Sequence, residues 1–268
     1  MKYIQPDQEH VKRTGRYHQI EDTLWLAMSG SGIEMRFTGR YLEIPVKGGY
    51  VAEHGEQDGN YARVAVYVNG SRILDEMIDS PRRQLIVVDQ EQPQTVEVQL
   101  VKLSESAMSV IGIESLVIGE EDRIEPAPDK AHLIEFIGDS ITCGYGVDDE
   151  DSNHHFATAT EDVTRAYAFH TARMLDVDCT LFSASGFGII SGYTDDPQRR
   201  LKDQLIPDYY HSVGFSRDRF PGGINPTEVS WDFSALRPEV VVINLGTNDD
   251  SFCQDDQEKQ QEYMEAYE

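Results

Sequence analysis

The chain has 268 residues, 39% hydrophobic and 26% charged, which is the composition of a folded protein with room for two domains and a sizeable core, not of a disordered segment. Its 23 Lys and Arg against 48 Asp and Glu leave a formal charge of −25. That argues against a nucleic acid or an anionic membrane as partner, since both need clustered cations to displace phosphate counterions.

Three cysteines, Cys143, Cys179 and Cys253, stand far apart without CxxC or Cys/His spacing, which speaks against a disulfide framework and against a structural metal. The N-terminal stretch has no apolar signal region, and no apolar run approaches the roughly 20 residues that span a bilayer. A cytoplasmic location is the simplest expectation, with secretion open if a leader was removed.

From the N-terminus, TLWLAM, GIEMRF and YLEIPV are short β-rich runs broken by Gly and Ser. YARVAVYV alternates, with Val64, Val66 and Val68 on one face and Arg63, Ala65 and Tyr67 on the other. Asn69-Gly70 follows at once and suits the positive φ angles of a type I′ turn, predicting a hairpin. TVEVQLVKL alternates again, and SVIGIESLVIG closes the series. Strands without intervening helices predict an antiparallel β-sandwich, jelly-roll-like, over residues 1–125. The charged segment around Pro126 and Pro128 reads as the boundary.

The pattern then changes to a doubly wound α/β domain over 130–268. HLIEFIG, CTLFSAS and EVVVINLG read as parallel strands buried on both faces. Residues 161–175 have helical spacing, with Val163, Ala166, Tyr167, Thr171 and Met174 on a common face. The last 18 residues read as a helix with Tyr263, Met264 and Tyr267 on one side. No stop signal ends it, and three strands make a small sheet, so a C-terminally incomplete domain is expected.

Each predicted buried strand runs into a glycine-containing segment: Gly138-Asp139-Ser140, Ser183-Ala184-Ser185-Gly186, and Gly246-Thr247-Asn248-Asp249. In an open α/β sheet such segments converge at the carboxyl ends of the strands, where ligands bind. A serine at a strand-to-helix turn is exposed for attack, and neighbouring backbone N–H groups can hold an oxyanion.

These blocks, in this order and spacing, resemble the SGNH (GDSL-type) hydrolases. GDSITCGYG, TEDVTRAYAFHTARML, SASGFGIISGYT and WDFSALRPEVVVINLGTND together resemble carbohydrate esterase family two, the acetyl (xylan) esterases. The resemblance implies a β-sandwich followed by an SGNH domain, and a serine esterase that removes O-acetyl groups from xylan or other acetylated saccharides without a cofactor. It implies Ser140 as nucleophile, with Gly186 and Asn248 in the oxyanion hole. Asp139 is expected to support its turn and Asp249 to hydrogen-bond within its loop. The family's late Asp-x-x-His segment, which supplies the general base, has no match here, so the catalytic histidine is expected beyond residue 268. This 268-residue form is accordingly expected to be inactive by itself.

Other readings stay open at this point. A lipid esterase or thioesterase would share the chemistry, and a non-catalytic carbohydrate-binding protein would use the sandwich beside a degenerate hydrolase domain. Tyr145, Tyr193 and Trp231 are candidate platforms for stacking a sugar ring. His154-His155 does not read as a metal site, because adjacent residues rarely share a ligand face. Asp148–Asp151 lacks the alternation and glycine of an EF-hand loop and reads as a solvated loop. Cys143 reads as a small packing residue. The oligomeric state is not legible.

Overall fold

In the computed structural model, which describes residues 1–55 and 59–268, the first half of the chain is one antiparallel sheet of eleven strands. Four of them organise it: β1 (Gly32–Gly48), β2 (Ala62–Val68), β3 (Ser71–Ile78) and β4 (Arg82–Lys102). β1 pairs with β4 along most of its length, and the register slips between Gly39 and Tyr41 and between Leu42 and Glu43. Such bulges bend and twist a strand. The sheet thereby closes over one core that includes Phe37, Leu42, Ile44, Val66, Leu100 and Ile113.

The expected sandwich is thus built from one sheet whose long strands serve both of its halves. GIEMRF and YLEIPV are a single strand, not two. Gly39 between them is required, because a Cβ there would lie 2.1 Å from the Asp122 carboxyl carbon. The first half of β4, RRQLIVVD, was not expected as strand, since the bulge that buries both Val87 and Val88 breaks its alternation. The hairpin forms as read: Asn69 and Gly70 take φ of 49° and 78° and join β2 to β3. A last strand, Arg123–Pro126, pairs back onto β1, so the sheet runs one residue past the anticipated boundary.

The second half carries three parallel strands, β5 (Leu133–Gly138), β6 (Asp178–Ser183) and β7 (Val240–Asn244), with β5 in the middle. Their register places Gly138 beside Ser183 and Asn244, so the three chains leave the sheet at one level. The helices that matter for the site are α1 (Ser140–Cys143), α2 (Tyr167–Leu175), α3 (Thr247–Cys253) and α4 (Gln257–Tyr267); a short further one spans Ile206–Tyr209.

Two helix expectations need correction. Residues 161–175 are not one helix: Asp162 caps a 3₁₀ turn at Val163–Arg165, and extended Ala166 resets the helical phase before α2 begins. The buried face of α2 is therefore Ala168, Phe169 and Ala172, while Met174 is 87% exposed. The C-terminal segment is also split, at Gln254 with φ 43°. In α4, Tyr263 and Tyr267 reach back along β7 to donate to the carbonyls of Leu245 (3.1 Å) and Ile243 (3.0 Å), but Met264 lies a helical step away and is exposed.

The two halves share their packing. β2 buries apolar residues on both sides: Val64 and Val66 enter the sandwich core, whereas Ala65 and Tyr67 pack with Val101 and Leu103 against Phe136, Val163, Phe169 and Leu181 of the second half. Charges cross the same junction. Arg16, fully buried, meets Glu135 of β5 at 3.2 Å, with its guanidinium 4.2 Å from the Phe182 ring centre and 4.5 Å from that of Tyr210. Arg63 pairs with Asp148 at 2.8 Å, so part of the acidic loop is neutralised rather than merely solvated. Arg72 pairs with Asp162. Deepest are Lys102, Glu105 and Glu161, none more than 1% exposed.

Two outcomes follow from this junction. Leu103 is fully buried between the halves, so Leu103→Ala should cost about 2–5 kcal/mol. Because both halves own that interface, calorimetry of the variant should show one transition displaced as a whole. Two resolved transitions would mean that the halves fold as independent modules.

The second outcome concerns pH. Burial, reinforced by the charge of Glu105, pushes the Glu161 carboxyl well above its ordinary 4.5. The folded state then holds a proton that the unfolded state has released, so this group's contribution to stability is full below pH 4.5 and is lost as pH rises toward the raised value. Glu161→Gln should therefore gain stability relative to the parent as pH rises above 4.5, as measured by urea unfolding. A constant difference across that range would contradict the buried, proton-holding carboxyl.

Candidate active site

At the end of β5 the chain turns sharply. Gly138 is needed there, since a Cβ would stand 2.0 Å from Thr142 Oγ1. Asp139 caps α1 by accepting the Ile141 N–H at 3.0 Å. Ser140 is then the first residue of α1 and half-buried. Gly144 ends the helix with φ 80°, and the N–H groups of Gly144 and Tyr145 close on the Ser140 carbonyl, each at 3.1 Å.

The segment after β6 is fixed at several points. Ser185 donates its N–H to Glu105 Oε2 at 2.7 Å. Gly186 has φ 80°, and its carbonyl accepts the Tyr193 N–H at 2.8 Å. Asp249 Oδ1 collects the N–H groups of Ile189, Ile190 and Ser191 at 2.7–3.0 Å, pinning the far side of the loop. Among the described residues, neither the Ser140 N–H nor the Gly186 N–H is taken up by an acceptor. A serine hydroxyl at a helix start, with two unspent backbone donors on neighbouring segments, has the chemistry of a nucleophile beside an oxyanion hole.

Asn248 links the three segments. Its Nδ2 donates to the Phe187 carbonyl at 2.7 Å and to Asp139 Oδ2 at 3.3 Å. Both amide hydrogens are thus engaged, and the longer bond is the one that a developing oxyanion can outcompete. Burial, with the neighbouring Asp249 charge as a smaller cause, raises the Asp139 carboxyl above its ordinary range.

Ser140, Gly186 and Asn248 are therefore on adjoining segments, as read from the sequence. Tyr145 and Tyr193 flank them. Tyr145 is tied by its N–H to Ser140 and stacks on Phe156 with ring centres 4.8 Å apart; Tyr193 is tied to Gly186, and its hydroxyl donates to Asp195. Both rings are about half exposed. Trp231 is not brought to this place. It is 8% exposed, packs edge-on to Tyr17 at 5.5 Å in a cluster with Trp25, Val213 and Phe220, and is held there by its N–H to the His211 carbonyl. Packing at the junction claims its indole.

Among the described residues, none of the eight histidines is hydrogen-bonded to Ser140. His154 pairs with Asp149, His132 with Glu239 at the far end of the sheet, and His10 with Asp7, while His155, His170 and His211 are exposed. A groove of about 690 Å³ opens at that far end, lined by Lys12, Pro128, Asp178 and Arg237, away from Ser140. Sequence reasoning missed Glu105, because nothing local in LSES reveals that its carboxylate is buried against another domain.

Residues 13–128 match the family model described as Carbohydrate esterase 2 N-terminal, and residues 134–268 match GDSL-like Lipase/Acylhydrolase. Among curated relatives, a cellulase/esterase, CelE, of Acetivibrio thermocellus is 28% identical over 223 residues, which is 83% of this chain and 24% of that protein. An acetylxylan esterase/glucomannan deacetylase of Cellvibrio japonicus is 29% identical over 199 residues, 68% of this chain and 50% of that one. The chain thus spans between a quarter and half the length of these two relatives. A solved family two carbohydrate esterase from Clostridium thermocellum, in complex with cellohexaose, superposes with a TM-score of 0.76 at 27% identity, over 96% of this chain and 71% of that one. An acetyl xylan esterase from the rumen bacterium Butyrivibrio proteoclasticus shares the fold, with a TM-score of 0.78 at 23% identity over 93% of this chain and 65% of the other. No helix among the described residues is long and apolar enough to cross a membrane. The chain belongs to the GDSL-like lipase/acylhydrolase family, in the carbohydrate esterase 2 form that sets a β-sheet domain ahead of the hydrolase sheet.

Proposed function

We propose that this chain carries the nucleophile and oxyanion hole of a carbohydrate esterase that removes O-acetyl groups from xylan or other acetylated saccharides. The observation that carries the reading is Ser140 at the start of α1, beside the unspent N–H groups of Ser140 and Gly186. Relatives named as acetylxylan esterase/glucomannan deacetylase support the substrate class.

In this reading Ser140 Oγ attacks the acetyl carbonyl carbon. The charge that develops on the carbonyl oxygen falls to the two N–H groups, and Asn248 joins them by exchanging its 3.3 Å bond to Asp139 for one to the oxyanion. The sugar hydroxylate leaves with a proton, and water then attacks the acetyl-serine. The serine proton must go to a base, and among the described residues none of the eight histidines is hydrogen-bonded to Ser140, so an external base is supplied in the test below. Tyr145 and Tyr193 stand where their exposed faces can receive the sugar ring. The chemistry calls for no cofactor.

Acetate release from acetylated xylan and from p-nitrophenyl acetate, with and without added imidazole as an external base, tests this. The parent should turn over in an imidazole-dependent manner, and Ser140→Ala should fall to the buffer rate under both conditions. A folded Ser140→Ala protein as fast as the parent would remove Ser140 from the mechanism.

Asn248→Ala should be milder, lowering kcat about 10²–10³-fold with little change in KM, as expected for one oxyanion donor. Parental kcat in that variant would show that the side chain keeps its ground-state partners throughout. Comparing acetyl with long-chain p-nitrophenyl esters separates a saccharide deacetylase from a lipid esterase: the acetyl ester should be preferred.

A further inference from the structure

Glu105 belongs to the first half of the chain, three residues past β4, yet its carboxylate ends among the loops around Ser140. Its Oε2 accepts the Ser185 N–H at 2.7 Å and also faces the Cys143 thiol at 3.6 Å. Ser185 precedes Gly186, and Cys143 is the last residue of α1, which Ser140 begins. One buried oxygen thus touches both the segment that offers the Gly186 N–H and the helix that offers the Ser140 hydroxyl.

The carboxylate is itself held. The Glu105 N–H donates to Glu161 Oε2 at 2.8 Å, and Lys102 Nζ donates to the carbonyls of Ser104 (2.7 Å) and Glu105 (2.9 Å), which fixes the turn. The carboxylate and thiol atoms of Glu105, Cys143 and Glu161 lie within 4.8 Å of one another. The Lys102 ammonium offsets one negative charge there. Burial raises the Glu105 carboxyl as well, but its Oε2 accepts from two donors whereas Glu161 Oε1 has no partner, so Glu105 is the better placed of the two to carry charge. Burial raises the Glu161 carboxyl well above its usual range, in agreement.

The consequence lies in the peptide between Ser185 and Gly186. Glycine's backbone freedom would let that peptide plane turn and swing the Gly186 N–H away. It is pinned on one side by Ser185 N–H to Glu105 and on the other by Tyr193 N–H to the Gly186 carbonyl. We propose that Glu105 is a positioning residue supplied by the N-terminal domain, whose carboxylate sets the Gly186 N–H relative to the Ser140 hydroxyl. The proposal rests on the roles given above to Ser140 and Gly186.

The test combines kinetics with exchange of a single amide. In folded Glu105→Ala, kcat should fall about 10²-fold with KM little changed, the penalty for displacing a catalytic group by an ångström or so. Glu105→Gln should restore most of the rate, because its side-chain oxygen accepts the same N–H. By hydrogen exchange read in ¹H–¹⁵N spectra, the Ser185 amide should exchange at least about tenfold faster in Glu105→Ala than in the parent, a size expected for losing a hydrogen bond to a charged group. If Glu105→Ala does not fold, Glu105→Asp keeps the charge but withdraws it from Ser185, and should show the same losses. Parental kcat in the Ala or Asp variant, unchanged Ser185 exchange, or a Gln variant as slow as Ala would overturn the proposal. If the parent itself shows no Ser140-dependent acetate release, the reading of Ser140 fails, and the Ser185 exchange rates still decide whether Glu105 holds this loop.

Discussion

A strand alternates its side chains between two faces, so a strand with apolar partners on both faces must be apolar throughout. β2 meets that demand from Val64 onward, with Val64 and Val66 on one side and Ala65 and Tyr67 on the other, and Arg63 near its start is neutralised by Asp75 and Asp148. The parallel sheet is only three strands wide, and its inward residues need cover. The outer face of the first domain provides it, together with α2. Burial at this junction makes the first domain a structural layer of the second, and the crossing pairs Arg16–Glu135, Arg63–Asp148 and Arg72–Asp162 add orientation to it.

The site inherits its geometry from this arrangement. The register that brings Gly138, Ser183 and Asn244 to one level determines where three loops begin, and buried acids determine where they go. Asp139 caps the helix of Ser140, Asp249 gathers three consecutive N–H groups, and Glu105 reaches in from outside the domain. Each acid satisfies backbone donors that would otherwise be stranded in a dry interior, where an unpaired polar group is costly. Asn248 spans two of the segments with one amide.

Much of this was legible along the chain where the signal is local. Asn69-Gly70 has only a tight turn to make, and HLIEFIG and CTLFSAS form buried strands as read, whereas EVVVINLG forms its strand but is not buried on both faces, with Val240, Val241 and Ile243 about half exposed at the sheet edge. The three glycine blocks are local too, and the structure places them on adjoining segments. Legibility failed where phase or distance decides. The break at Ala166 rotates α2 and exposes Met174, although the spacing of residues 161–175 fits one helix. Trp231 offers a large aromatic surface that suits a sugar as well as a core, and only its tertiary neighbours assign it to packing. Glu105 stands in a polar stretch that looks like an exposed loop, and its role depends on groups 80 residues away in the chain.

The same interior places a chemical clock beside the site. Cys143 is fully buried, and its thiol is pushed well above its ordinary range by burial and by the adjacent carboxylates. A thiolate is the reactive species, so this sulfur is inert while the junction is closed. Any fluctuation that parts Glu105 from α1 admits water and reagent to it together. The rate at which Cys143 is alkylated therefore reports how readily the interior around Glu105 and α1 opens, without a label having to be introduced.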